Sequence, residues 1–543
     1  MAKIITAEQA AALIPDGATV GASGMQVMWA EEVGVAIEQR FLATAQPRNI
    51  TLVHGSGIGN WVNLGTHHLG HEGLVAKWIG AHTGAAPAMA HLIEQNKCQA
   101  YCIPQGVVVQ LYREIAAKRP GIITKVGLGT FIDPRLEGGK INSVTTEDYV
   151  QLIQLAGEEW LFYPAFPIDV ALIRGTTADE NGNLTMDEEA LLFEHLPLAQ
   201  AAKNSGGIVI AQVKYLAEAE TLHPKKVRVP GGLVDYVVVA ARPEQTHMQT
   251  AAEFYNPAFS GDVKMPLGDV ERLPMNERLI VARRAAAELH PHVFVNCGVG
   301  LPDGIGSVAA EEGVTHLITL TTEAGAIGGA PGVDTKHGRA NFNFGVEYNP
   351  AALIEHQVMF DFYDGGGLDV AFLGLAQTDK LGNVNVSRFS GRAMGVGGFV
   401  NIAQGAKKLV FCGTFTAGHL EVTIVDGVLK IVKEGTVTKF IDAVEEVTFS
   451  GPHSATLGQL VVYVTERAVF ELRDGRMTLV EIAPGIDVER DVIAHMDFRP
   501  EIASDLRTMA PEMFALHWGK LREIIETNGP LATPKKRVPV AVG

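Results

Sequence analysis

The chain repeats itself. Ile168-Asp169-Val170-Ala171 returns as Leu368-Asp369-Val370-Ala371, and Asp179 with Gly182-Asn183 returns as Asp379 with Gly382-Asn383, both at an offset of 200 residues (168 to 368, 179 to 379). Two blocks matched in one register restrict the chain to two copies of one supersecondary plan. Each block reads as a buried strand, a short turn, a D-x-x-G-N turn and another strand, with Gly and Asn supplying the left-handed conformations such turns need. The parts upstream also correspond, at a different spacing that implies an insertion in the first half. Ala18 to Gly24 and Val293 to Gly300 each read as a strand that enters a glycine loop after a helix.

The first half shows what the repeated unit is. Thr6-Ala7-Glu8-Gln9 has capping-box spacing, so a helix should run to Leu13 or Ile14 and stop at Pro15-Asp16-Gly17. Ala18 to Ala22 reads as a strand, Ala30 to Leu42 as a helix, and Asn49 to His54 as a second strand ending in Gly55-Ser56-Gly57. Strand, glycine loop, helix, strand is a βαβ unit. The pattern continues through a strand at Cys98 to Ile103, a helix near Leu111 to Lys118, and the loop Gly127 to Arg135. The expected fold is α/β: two related open domains from an internal duplication, with mostly parallel sheets covered by helices. Their bounds are read as 1–260 and 275–520, separated by a linker carrying Pro257, Pro266 and Pro274, with a tail over 521–543 ending in LATPKKRVPVAVG.

With 543 residues the chain is long enough for two or three cores, and 59 glycines with only 19% charged residues suit a compact α/β protein with many tight turns. A net charge of −17 argues against nucleic acid or an anionic membrane as partner. The four cysteines, Cys98, Cys102, Cys297 and Cys412, are too scattered for a disulfide framework and fit buried thiols in a reducing cytoplasm. The first residues lack the apolar core of a signal peptide, and no stretch approaches the ~20 apolar residues of a membrane span. The expectation is a cytoplasmic protein.

Glu323 is the strongest candidate for chemistry. The run Leu317-Ile318-Thr319-Leu320 reads as a buried strand, and Glu323 stands where it stops, followed by Gly325, Gly328 and Gly329. That is the crevice position in which open α/β sheets place ligands, although taken alone the same residues fit a solvated loop glutamate. Gly298-Val299-Gly300-Leu301-Pro302-Asp303-Gly304 fits an anion-binding loop and a plain strand-to-helix turn equally well. Gly365-Gly366-Gly367, and Gly395 with Gly397 and Gly398, read first as tight turns and second as backbone donors for an oxyanion. His67, His68 and His71 have zinc-like spacing, but the glycines around them disfavour a helix, so no metal site is expected. No G-x-S-x-G elbow presents a serine nucleophile.

With these features in view, the chain resembles the family I coenzyme A transferases, above all the single-chain bacterial enzymes that move CoA between short-chain acids such as acetate, propionate and 3-keto acids. The resemblance runs over nearly the whole chain. It is carried by CIPQG at 102–106, GLGTFIDPRLEGGK at 127–140, TLTTEAGAIGG at 319–329, FDFYDGGGLDVAFLGLAQTDKLGNVNVS at 360–387 and GVGGFVNI at 395–402. It implies that Glu323 is the catalytic nucleophile in the second domain, and that the first domain shapes a carboxylate pocket in which Gln105 lies. It further implies that the backbone amides of Gly397 and Gly398 face the reacting thioester. Coenzyme A is then a substrate, no cofactor is needed, and the partners are acyl-CoA and short-chain acids, in a homo-oligomer, most commonly a tetramer. The segment DTKHGRANFN at 334–343 departs from expectation by its charge so near the pocket.

The implied chemistry is covalent ping-pong transfer through a glutamyl-CoA thioester. Two other functions share these residues. A hydrolase would use water as acceptor, and a ligand sensor would bind without turnover.

Overall fold

A computed structural model describes residues 2–266, 273–332, 343–389 and 391–532. The sequence segment 334–342 and the end of the tail, 533–543, lie outside the described residues.

Two sheets carry the two halves. The path of the first runs Lys3–Ile5, Tyr236–Val239, Ile208–Ala217, Val170–Asp179, Thr19–Ala22, Ile50–His54, Val75–Gly80, Gln99–Cys102, with every neighbouring pair parallel. The second contains the parallel run Leu460–Val464, Lys408–Cys412, Val370–Gly374, Phe294–Cys297, Thr319–Thr321. Five strands therefore recur in one order, and Val20 pairs with Val170 as Val295 pairs with Val370. These strands are rich in Val, Ile, Leu and Ala and almost wholly buried, as sheets covered on both faces must be.

The repeated aspartates explain why the pattern persists. Asp169 accepts the Thr19 N–H at 2.8 Å and Asp369 accepts the Phe294 N–H at 2.8 Å, tying the central strand of each sheet to its neighbour. In the D-x-x-G-N turns, Asp179 accepts from the Asn181 and Asn183 N–H groups and from Asn183 Nδ2 at 2.9–3.0 Å, and Asp379 makes the same set with Leu381 and Asn383. Asn183 Oδ1 then accepts the Gly231 N–H, and Asn383 Oδ1 the Gly451 N–H. A Cβ on Gly231 or Gly451 would stand within 2.2 Å of a backbone oxygen.

Several elements differ from expectation. The helix expected near Leu111 begins at Gln105 and runs to Ala116, because Pro104 at its N-cap has no N–H to leave unpaired. The strand Val75–Gly80 was not expected, nor was the antiparallel sheet Gly121–Thr124, Glu158–Pro164, Gln151–Leu155. The linker region opens with a helical turn, Pro257–Ser260, whose Phe259 is fully buried against Tyr348 at a ring separation of 4.7 Å. The segment read as a tail begins with the helix Leu521–Asn528, docked through buried Leu521 and Ile525. Among the described residues, no helix is long and apolar enough to cross a membrane.

Candidate active site

Glu323 sits at the tip of a hairpin that leaves the second sheet. Thr321 pairs with Ile327, the Thr322 N–H donates to Ala326 O at 3.0 Å, and the Gly325 N–H donates to Thr322 O at 3.0 Å. The turn needs Gly325: its φ is +109°, and a Cβ there would stand 2.0 Å from Ile354 O. Behind the tip lies a small apolar cluster drawn from both halves, including Met25, Met28, Phe193, Phe259, Ala324 and Val346. The glutamate is thus held on a tight loop backed by a packed wall, and only 9% of it is exposed.

It faces a cavity of about 220 Å3 at the seam between the halves. Met25, Trp61, His82 and Gln105 come from the first half, and Val299, Glu323, Phe344 and the loop Gly395 to Gly398 from the second. The three residues expected at the site beside Glu323 are all here. A Cβ on Gly398 would lie 3.4 Å from Glu323 Cδ, and one on Gly397 would lie 3.5 Å from Gln105 Oε1. The loop is pinned to the first half: the Val396 and Gly397 N–H groups both donate to Ala81 O, at 2.7 and 2.9 Å, and Gly397 O accepts the Gln105 N–H at 3.1 Å. The two amides therefore differ. That of Gly397 is engaged by Ala81, whereas that of Gly398, at the N-cap of the helix Phe399–Gly405, has no acceptor among the described residues. The glycines at 365–367 are a helix end, their N–H groups donating to Asp361, Tyr363 and Phe362 oxygens.

Burial pushes the Glu323 carboxyl above the ordinary carboxylate range, while the Asn296 amide pulls the other way. Asn296 Nδ2 also donates to Thr321 O and to Tyr363 Oη at 3.2 Å, and Tyr363 Oη lies 2.7 Å from Thr321 Oγ1. These bonds fix the strand from which the Glu323 hairpin springs. His356 in turn lies 2.8 Å from Gln105 Nε2 through its Nε2 and 2.6 Å from Glu194 Oε2 through its Nδ1. Sequence reasoning gave no role to Asn296, His356, Tyr363 or Glu194: Asn296 and Tyr363 read only as part of the runs that lead into glycine loops, His356 and Glu194 stand outside any such loop, and only the fold brings the four near Glu323.

The other candidates lie elsewhere. His68 bridges Glu31 and Glu38 at 2.9 and 2.6 Å, and His71 meets Glu38 at 2.8 Å, a hydrogen-bonded knot beside the helix Glu31–Thr44. All four cysteines are free thiols, three of them buried, and burial pushes those of Cys98 and Cys102 up to about 12.

A family model described as Coenzyme A transferase matches residues 4–240 and 279–494. A caffeate CoA-transferase of Acetobacterium woodii is 53% identical over 97% of this chain and 100% of its own. The acetate CoA-transferase YdiF of Escherichia coli K12 is 44% identical over 94% of this chain and 95% of its own. A crystal structure of the acyl-CoA transferase YdiF from E. coli O157:H7, a thioester complex with CoA, superposes with a TM-score of 0.88 at 41% identity, covering 95% of this chain and 97% of that one.

Proposed function

The chain belongs to the coenzyme A transferase family, an enzyme that moves CoA between an acyl-CoA and a carboxylate, and from that footing we propose that Glu323 carries the CoA as a covalent thioester. The observation behind this is the position of one buried carboxylate, on a rigid hairpin, beside the Gly398 amide, which has no acceptor among the described residues, and facing a cavity shared by both halves. The YdiF thioester complex with CoA supports it.

The Glu323 carboxylate attacks the thioester carbonyl of the donor, forming a mixed acyl-glutamyl anhydride and expelling CoA thiolate. The thiolate attacks the glutamyl carbonyl, giving the glutamyl-CoA thioester and releasing the donor acid. The acceptor carboxylate repeats both steps in reverse, so the thioester bond energy is conserved and no ATP, metal or other cofactor is needed. A thiol with pKa near 8.5 leaves without a general acid. The developing oxyanion needs a donor, a role we assign to the Gly398 N–H; such donors are worth about 3 to 4 kcal/mol. Gln105 lines the acid end.

Among the described residues no Lys or Arg lines the cavity. We read the acids as short-chain ones such as acetate, propionate, butyrate or a 3-keto acid, a reading that the similarity to the acetate CoA-transferase YdiF supports. The similarity to a caffeate CoA-transferase, with Trp61, Phe344 and Phe399 in the lining, puts an aromatic acid in the same panel. We read the enzyme as a homo-oligomer, most simply a tetramer, which sedimentation will measure.

Incubation with acyl-CoA in the absence of acceptor should add a CoA-sized mass to the peptide containing Glu323, and Glu323→Ala should abolish exchange with the fold intact. An adduct on another residue, or an active alanine variant, would refute the assignment. Acyl-CoA consumption that proceeds equally without acid would mark a hydrolase, and binding without turnover a sensor.

A further inference from the structure

We propose that Glu194 and His356 are positioning residues that act through Gln105, locking its side chain at the reaction centre by a one-directional chain of hydrogen bonds across the domain seam. The inference rests on the transfer reading above. Its parts come from both halves. Glu194 immediately precedes the helix His195–Ser205 of the first half, Gln105 is the first residue of the helix Gln105–Ala116, and His356 is the first residue of the helix His356–Asp364 in the second half. Glu194 and His356 are fully buried, and Gln105 is 2% exposed.

Donor and acceptor chemistry fixes the order of the chain. The Gln105 amide nitrogen can only donate, so His356 Nε2, 2.8 Å away, is the acceptor and carries no proton. The imidazole proton is then on Nδ1, where it donates to Glu194 Oε2 at 2.6 Å. The other Glu194 oxygen accepts the Gly24 N–H at 3.4 Å, anchoring the loop that delivers Met25 and Gln26 to the cavity wall. The imidazole is packed between two rings, its centroid 5.4 Å from that of Phe360 and 6.1 Å from that of Phe193. With the Gln105 NH2 group committed to His356, its carbonyl is directed to the Gly397 side, where a Cβ would meet it at 3.5 Å. A free glutamine rotates its amide at little cost; this one has a single orientation. A buried polar chain of this kind holds only while every member is satisfied.

A double-mutant cycle on acyl-CoA:acid exchange tests this. Asparagine at 356 can still donate to Glu194 but cannot reach Gln105, whereas glutamine at 356 can still present an acceptor to Gln105. We expect His356→Asn to lower kcat on the order of 10- to 100-fold, His356→Gln to lose less, and His356→Asn combined with Gln105→Ala to be no worse than Gln105→Ala alone, circular dichroism confirming the fold of each. In the wild-type protein, 15N spectra of labelled histidine should show His356 protonated at Nδ1 and bare at Nε2, a readout independent of any variant's folding. Equal losses for Asn and Gln, losses that add in the double variant, or a proton on Nε2 would overturn the proposal; additive losses would mean that His356 acts on Glu323 directly. A wild-type protein without exchange activity would overturn the transfer reading itself.

Discussion

At the scale of single residues, the carboxylate proposed as nucleophile is expensive for the fold. Glu323 is buried, and its carboxyl is held above the ordinary range by loss of water. The folded state therefore binds its proton more tightly than the unfolded state, and the sign follows: stability from this group is present at acid pH and declines as pH rises from the ordinary carboxylate value through the raised one. Glu323→Gln should melt at or above the wild-type temperature at pH 8 while being inactive. Calorimetry showing a clearly lower melting point would contradict that. Exchange should fall as the medium is acidified through the same window, because only the carboxylate attacks. Gly398 offers a second test. Its backbone tolerates a side chain (φ −79°), but a Cβ would press on Ile402, Phe360 and Glu323 at 3.2–3.4 Å. Gly398→Ala should lower kcat about 100-fold with little change in melting temperature. Glu323 stood out in the sequence by its place at the end of a buried strand before a glycine run, whereas Gln105 and Gly398 were reached through the family resemblance; His356 and Glu194 were not singled out, since one histidine among eighteen carries no local mark of its partner 162 residues away.

At the scale of elements, the repeated corners are interchangeable in structure and should be so in energy. Asp179→Ala and Asp379→Ala each remove an acceptor from the same three turn donors, and Asp179 also accepts the Glu220 N–H at 3.4 Å. Each should cost about 1–3 kcal/mol in denaturant unfolding; an effect confined to one of them would show that the repeat has lost its structural equivalence. Phe259, by contrast, wedges the first half's exit segment under the catalytic hairpin, so Phe259→Ala should cost about 3–5 kcal/mol and slow exchange as well. The parallel strands were readable because a buried strand is an unbroken apolar run. The small antiparallel sheet at 121–164 was not, because its strands are amphipathic, exposed on one face, and interrupted by turns that look like any loop. The start of the helix at Gln105 was hidden for another reason: Pro104 and Gly106 signal a turn locally, and only burial against the second half makes helix the better choice.

At the scale of the whole molecule, the seam is made of matched polar contacts. Gly106 donates to Asn401, Asn401 and Gln110 donate to Asp364, and Arg113 forms a two-point pair with Asp361. Cutting the chain between residues 266 and 273 should leave two fragments that are each inactive, since neither contains a complete cavity, and that recover exchange when co-expressed. Activity in either fragment alone would contradict the shared site. The duplication also tells which crevice is armed. By strand pairing, Val20 and Val295 occupy the same place, with Leu52 beside one and Leu320 beside the other; counting three residues on puts Gly55 where the second half has Glu323. A Cβ at Gly55 would collide with Val109 at 2.6 Å, in the helix that presents Gln105. One copy of the repeated plan thus carries the proposed nucleophile, and in the other Val109 fills the corresponding corner. Labelling by acyl-CoA should accordingly saturate at one equivalent per polypeptide, a half-of-the-repeats stoichiometry written into a single glycine.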